Sequence, residues 1–300
     1  MQDIVTNEVV KYRIDFLKYR YFWMFVSIAF FAVGVAAYVM KGGFRYAIDF
    51  SGGAELRIVF DRSIDIGKVR DAMSAKGWKD AVIQSVGNTG KEFLIRVATL
   101  SDDAEEKIKD TLGAAAADTK VRIDSKQWVG SEVGTDTTKN AVIAIMLSLL
   151  ILLLYIAMRF EFRFGLGAVA SLVHDLLAVL VFLLLTEEPI SLHVLASVLA
   201  ILGYSLHDCI VIFSRIRENF KKMKGASEYD IVNVSINQTL RRTILTSFAT
   251  LLSVAGILVF GGEALYGLAI VLFVGIIVGT YSSIYIASPV MLAIKTKKTN

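Results

Sequence analysis

"LGYSLHDCIVIFSRIRENF", Leu202 to Phe220, sets a carboxylic acid, Asp208, inside an apolar run otherwise suited to crossing a membrane. The surrounding chain of 300 residues is 55% hydrophobic and has only two prolines. Its apolar runs repeatedly reach the ~18 or more residues needed to cross roughly 30 Å of hydrocarbon. This pattern predicts an integral membrane protein. The formal charge of +4 is then read as basic residues marking the cytoplasmic side, not as a nucleic-acid footprint. A single cysteine, Cys209, excludes an internal disulfide.

Working outward from that stretch, the apolar runs predict a first membrane helix over 21–40 after a cytoplasmic leader over 1–20. Lys11, Arg13, Lys18 and Arg20 precede the run, which is longer than a signal core and reads as an uncleaved signal anchor. Five more spans follow at 140–158, 166–186, 191–213, 243–261 and 265–292, leaving a tail over 293–300. Lys and Arg crowd the leader, the turn "RFEFRF", the stretch from Arg215 to Arg242 and the tail, whereas "TEEP" and "GGEALYG" contain neither. Both termini are therefore expected in the cytoplasm, with 41–139 outside.

In that outer segment, "AELRIVF" alternates like a strand, and "DIGKVRDAMSAKGW" places Ile66, Val69, Ala72 and Met73 on one helical face. "AVIQSV" and "EFLIRVA" flank a hairpin signal, "GNTGK". "DDAEEKIKDTLGAAAA" starts with acids suited to a helix N-terminus, and "KVRIDSKQWV" returns as a strand. The order βαββαβ predicts a ferredoxin-like α+β domain, a fold that hosts many functions. In "DFSGGAEL", Asp49, Gly52 and Gly53 read as a junction where paired glycines allow positive φ or close backbone approach.

The polar residues within the apolar runs carry the functional reading. At 3.6 residues per turn, Ser197, Tyr204, Ser205, Asp208 and Arg215 share one stripe of the fourth span. A central Asp costs about 2.5 to 3.5 kcal/mol on insertion scales, so such residues face the bundle interior and often mark ion or proton pathways. Moving one charge through 100 mV is worth about 2.3 kcal/mol, a comparable amount. One proton could therefore switch this residue. The bland alternative has Asp208 tying helices together through Arg215 or Arg242. Arg242, in "QTLRRTILTSFATLL", is either its partner or an interfacial anchor, and Arg241 reads as an anchor. His174 and Asp175, adjacent in "SLVHDLLAVL", either relay protons or pair with each other. No H-E-x-x-H, Walker or G-x-G-x-x-G pattern occurs, so no metal, cofactor or catalytic residue is expected, and the energy source is a membrane gradient or a partner.

Together, "DFSGGAEL", "SEVGTDTTKNA", "HDLLAVL", "LGYSLHDCIVIFSRIREN", "RRTILTSFATLL", "FGG" and "GTYSSIYIASPVML" resemble the SecF branch of the SecD/SecF family, relatives of the resistance-nodulation-division transporters. The chain departs from the usual GYSxNDTVVVFDRIREN at His207, Cys209 and Ser214, and keeps Asp208. The resemblance implies a multi-pass protein of the bacterial inner membrane that is not an enzyme. It would work with SecD beside the SecY/SecE/SecG channel, with YajC and YidC as further partners. Its cargo would be an unfolded polypeptide in late translocation, moved at the expense of the proton-motive force. It also implies that Asp208 and Arg242 occupy positions associated with proton conduction. Two alternatives stay open at this point: half of a proton-driven small-molecule exporter, and a non-conducting assembly subunit.

Overall fold

The computed structural model describes residues 14–78, 81–86, 89–97, 104–115 and 120–294. Expectations for Lys11, Arg13, the first half of the "GNTGK" turn and the basic tail lie outside the described residues. After a 3-10 turn at Leu17–Tyr19, helix α1 (Arg20–Lys41) ends at Gly42, whose φ of 75° lets its N–H close back on Tyr38 O. A helical turn, α2 (Ile48–Ser51), leads into β1 (Gly53–Phe60), α3 (Ile66–Ala75), β2 (Val82–Val86), β3 (Glu92–Val97), α4 (Ala104–Ala115) and β4 (Val121–Val129). Then come α5 (Ser131–Arg159), α6 (Phe162–Thr186), α7 (Leu192–Lys222), α8 (Glu228–Phe260) and α9 (Gly262–Ser282). The last helix continues through a π-helical turn, Ser283–Ala287, into α10 (Ser288–Ala293).

Among the described residues, 6 helices are long and apolar enough to cross a membrane: α1, α5, α6, α7, α8 and the α9–α10 rod. The chain divides into two compact units, Tyr46–Val142 and the flanking residues. In the first, an antiparallel sheet has the order β2-β3-β1-β4. Alternation sorts its two faces. Leu56, Ile58, Phe60, Phe93 and Ile95 are buried against Val69 and Met73 of α3 and Ile108 and Leu112 of α4. Ile66 packs at the edge of this core, and Ala72 is half-buried. On the opposite face Arg57 meets Glu92 at 2.7 Å and Arg96 meets Glu55 at 2.5 Å across neighbouring strands. Asp65 caps α3 by accepting from Gly67 N–H at 3.0 Å.

Within the membrane-type unit, α6 and α7 are the most buried of the long helices and α5 the least. Small residues let neighbours approach closely. A Cβ on Gly34 of α1 would lie 2.3 Å from Val181 of α6, and one on Gly167 of α6 would lie 2.6 Å from the carbonyl oxygen of Ala287. Helices outrun the apolar segments: α7 continues past Phe213 to Lys222, and α8 begins at Glu228, where Ser227 accepts from Asp230 N–H at 3.1 Å. Hydropathy marks only the part of a helix that needs lipid. The amphipathic extension of α8 buries Ile231, Val232 and Ile236, and its Asn233 and Asn237 hold the entering chain through Phe16 N–H and Ile14 N–H.

At the other end of α1, Lys41 donates to the terminal carbonyls Leu184 and Leu185 of α6 and pairs with Glu187 at 3.1 Å; Arg45 pairs with Glu187 as well. The hydrogen bond from Lys41, reinforced by the charge of Arg45, holds the Glu187 carboxyl below the usual glutamate range.

Candidate functional site

The site grows from α6, whose inner face carries His174 and Asp175, both buried. His174 Nδ1 lies 3.2 Å from Asp175 Oδ1. Its Nε2 lies 2.9 Å from Ser27 Oγ of α1, and Ser27 Oγ lies 2.9 Å from the hydroxyl of Tyr281 on α9. Tyr281 in turn donates to the Trp23 carbonyl at 2.8 Å. On the far side, Ser205 of α7 donates to Asp175 Oδ2. One continuous polar line therefore joins α1, α9, α6 and α7. Beside it, Ser171 of α6 meets Ser282 of α9 at 2.8 Å and accepts from Cys209 Sγ at 3.7 Å.

Asp208 lies one turn further along α7 from Ser205 and is equally buried, yet its Oδ2 has no hydrogen-bond partner. Burying a carboxylate without hydrogen-bond partners is costly, which sets Asp208 apart from Asp175. Arg242, near the middle of α8, is exposed; its charge reaches Asp208 through space without forming a direct pair. Arg215 is occupied elsewhere, donating to Gln238 at 2.7 Å and to Glu218 at 2.6 Å.

The stripe on α7 fans out to different neighbours. Ser197 donates to Leu268 O of α9 at 2.9 Å, Tyr204 donates to Ser247 of α8 at 3.1 Å, and Ser205 serves Asp175. Ser247 also meets Thr280 of α9 at 2.7 Å. At the junction, Asp49 lies in α2, and Gly52 and Gly53 take φ of 68° and 106°. A Cβ on Gly52 would sit 2.8 Å from Ser131 Cα, so the turn and the start of α5 meet backbone to backbone. Ser27, Ser171, Tyr281 and Ser282 went unremarked in the sequence reading. Their partners lie on other helices, and the one available signal was that each is a hydroxyl in an apolar run.

The chain as a whole is similar to known proteins. The family described as "Protein export membrane protein SecD/SecF, C-terminal" matches residues 108–297. The chain is 38% identical over 279 residues to the protein translocase subunit SecF of Pseudomonas aeruginosa, covering 93% of this chain and 90% of that one. Against the protein translocase subunit SecF of Escherichia coli O157:H7 the identity is 32%, over 95% of this chain and 88% of that one. Among solved structures, it is similar to SecDF, a translocon-associated membrane protein from Thermus thermophilus, at a TM-score of 0.85 and 35% identity. The match covers 95% of this chain and 39% of the SecDF chain, so this chain spans about two-fifths of that polypeptide.

Proposed function

The chain belongs to the SecD/SecF family of protein-export membrane proteins, and from that premise we propose that it is a proton-driven subunit of the protein translocase. It is a SecF-type, multi-pass transport subunit, similar to the curated SecF proteins over nearly their whole length. Asp208 is the proton carrier in this reading, and Arg242 is the cation that biases its charge state. The observation that carries the reading is the buried, partnerless oxygen of Asp208 beside a guanidinium held at a distance. A purely structural aspartate would have its oxygens satisfied.

No cofactor is invoked; the gradient is the energy source. The sheet domain, with its βαββαβ order, is read as a ferredoxin-like domain outside the inner membrane, with both termini in the cytoplasm. That orientation is supported by the basic residues of the "RFEFRF" turn and of Arg215 to Arg242. A SecD portion is the expected partner, since the solved SecDF chains carry this region within a longer polypeptide. SecY, SecE, SecG, YajC and YidC complete the assembly in this reading, with an unfolded polypeptide as cargo. A small-molecule exporter and an inert scaffold are the readings it displaces.

The test is Asp208→Asn, which keeps the size and polarity of the side chain and cannot exchange a carboxylate proton. In inverted vesicles, the variant should assemble with its partners and retain ATP-driven early translocation, and it should lose the uncoupler-sensitive release of late intermediates. A full uncoupler-sensitive response in the variant overturns the proton-carrier role and favours the scaffold.

A further inference from the structure

The polar line through His174 has more hydrogen-bond contacts than its neutral groups have hydrogens. Five contacts lie in series: Trp23 O to Tyr281, Tyr281 to Ser27, Ser27 to His174 Nε2, His174 Nδ1 to Asp175, and Asp175 to Ser205. Tyr281, Ser27 and Ser205 each bring one O–H, a neutral imidazole brings one N–H, and an ionised Asp175 brings none. Four hydrogens serve five contacts. With Nδ1–H given to Asp175 and the Ser27 hydroxyl given to Nε2, the Tyr281 hydrogen can reach either Ser27 or the Trp23 carbonyl. Either choice leaves two oxygens under 3 Å apart with no hydrogen between them.

One added proton completes the series. With Nε2 protonated, that N–H donates to Ser27, Ser27 donates to Tyr281, and Tyr281 donates to the Trp23 carbonyl. On the other side Asp175 still accepts from Ser205 and shares a hydrogen with Nδ1. The same proton cancels the carboxylate charge, so the group as a whole becomes neutral where an unpaired ion is most costly. We propose that the His174–Asp175 pair, with Ser27 and Tyr281, is a second proton-binding site, distinct from Asp208, whose protonated form latches α1 to α6 and α9.

The surroundings fit a site that binds a proton and nothing larger. Facing His174, α1 presents Ser27 and the ring of Phe31, with no charged group; α6 presents Asp175; and α9 presents Tyr281, with Tyr285 stacked behind it. From α7 the titratable neighbours are Cys209 and Asp208, and Cys209 feels the charges of both Asp175 and Asp208. Ser27 is the one buried polar side chain of α1 among the described residues, so this network is the buried polar hold on that helix, apart from the Lys41 contacts at its exposed end. The π-helical turn begins just after Ser282, and π turns inside helices recur at functional sites. Any use of this latch in export rests on the gradient-driven reading above; its capacity to bind a proton does not.

The experiment reads Nε2 directly. The full chain, with 15N-labelled histidine and placed in lipid nanodiscs, is followed by NMR from pH 5 to 8, and the His174 signal is assigned by its loss in His174→Gln. The expected result is an Nε2 that is protonated at the acid end and gives up its hydrogen as pH rises. Ser27→Ala and Tyr281→Phe should each lower proton affinity about tenfold, read as a shift of the transition by one pH unit. Ser27→Thr, which keeps the hydroxyl, should restore it. An Nε2 without hydrogen throughout, or a transition that neither Ser27→Ala nor Tyr281→Phe moves, overturns the proposal. Vesicle export by Asp208→Asn reports on the functional reading alone, so the two can fail separately.

Discussion

Two aspartates sit in the same membrane core under opposite conditions. Asp175 on α6 has both oxygens engaged, one by His174 and one by Ser205, in a line that reaches α1 and α9. Asp208 on α7 is as deeply buried and leaves one oxygen without a partner, with Arg242 acting on it across a gap. Burial alone therefore does not say what a membrane carboxylate does. The partners do: Asp175 can take or lose a proton only together with the hydrogen-bonded line it belongs to, whereas Asp208, with an oxygen left vacant, can change its proton or its neighbour on its own.

Truncating each aspartate should break the comparison most sharply. Asp175→Ala leaves His174 and Ser205 buried without their acceptor and should cost about 3–5 kcal/mol, the usual penalty for removing one member of a buried pair. Asp208→Ala removes a group already short of partners and should cost under about 1 kcal/mol, or stabilise the fold. Thermal unfolding of both variants in the same detergent checks this, and equal losses would erase the distinction. A smaller effect is expected from the packing that holds each region. Gly167→Ala drives a methyl group against the Ala287 carbonyl oxygen beside the π turn and should cost about 1–3 kcal/mol. Gly203→Ala on α7, where no neighbouring group lies within 4 Å of the new methyl, should leave the midpoint unchanged or raise it slightly, since alanine is the better helix former.

The smallest effect is expected at the outer end of α6. Glu187→Gln removes the negative charge shared by Lys41 and Arg45 and one of the two oxygens they contact, but the glutamate side chain is 39% exposed, so solvent screening limits the loss to under about 1 kcal/mol. Because the folded-state pKa is lowered, the stabilisation is present above the ordinary glutamate value of about 4.3 and fades as pH falls through the folded value. The gap between wild type and Glu187→Gln, measured by thermal unfolding, should therefore close on acidification and stay constant above pH 5.

The apolar spans, the succession of strands and helices between the first two of them and the oddity of Asp208 were legible because each leaves a local pattern: an apolar run, an alternation, a charge out of place. The partners of these residues were not. Ser27 reads as one tolerated small residue in α1 and Tyr281 as one aromatic in α9, and only the fold brings them to His174. The helical stripe that grouped Arg215 with Asp208 was correct in azimuth. It ignored the ~1.5 Å rise per residue, which carries Arg215 two turns away, into reach of Gln238 and Glu218. Spacing on one helix says which way a side chain points, and the identity of what it meets belongs to the neighbouring helix.

The π turn at Ser283–Ala287 has a consequence for insertions and deletions. A helix with one residue in excess of the α repeat keeps the two segments it joins out of phase by about 100°, the rotation of a single residue. Loss of one residue between Ser283 and Ala287 would leave a rod of almost unchanged length, still interrupted at Pro289, still apolar and still able to span. With α10 anchored against α6 at Gly167, that shortening would swing the Tyr281 hydroxyl away from Ser27. Chain length in this turn thus acts as a phase setting for the whole rod, and Ile286, deleted alone, should uncouple α1 from α9 while sparing insertion into the membrane.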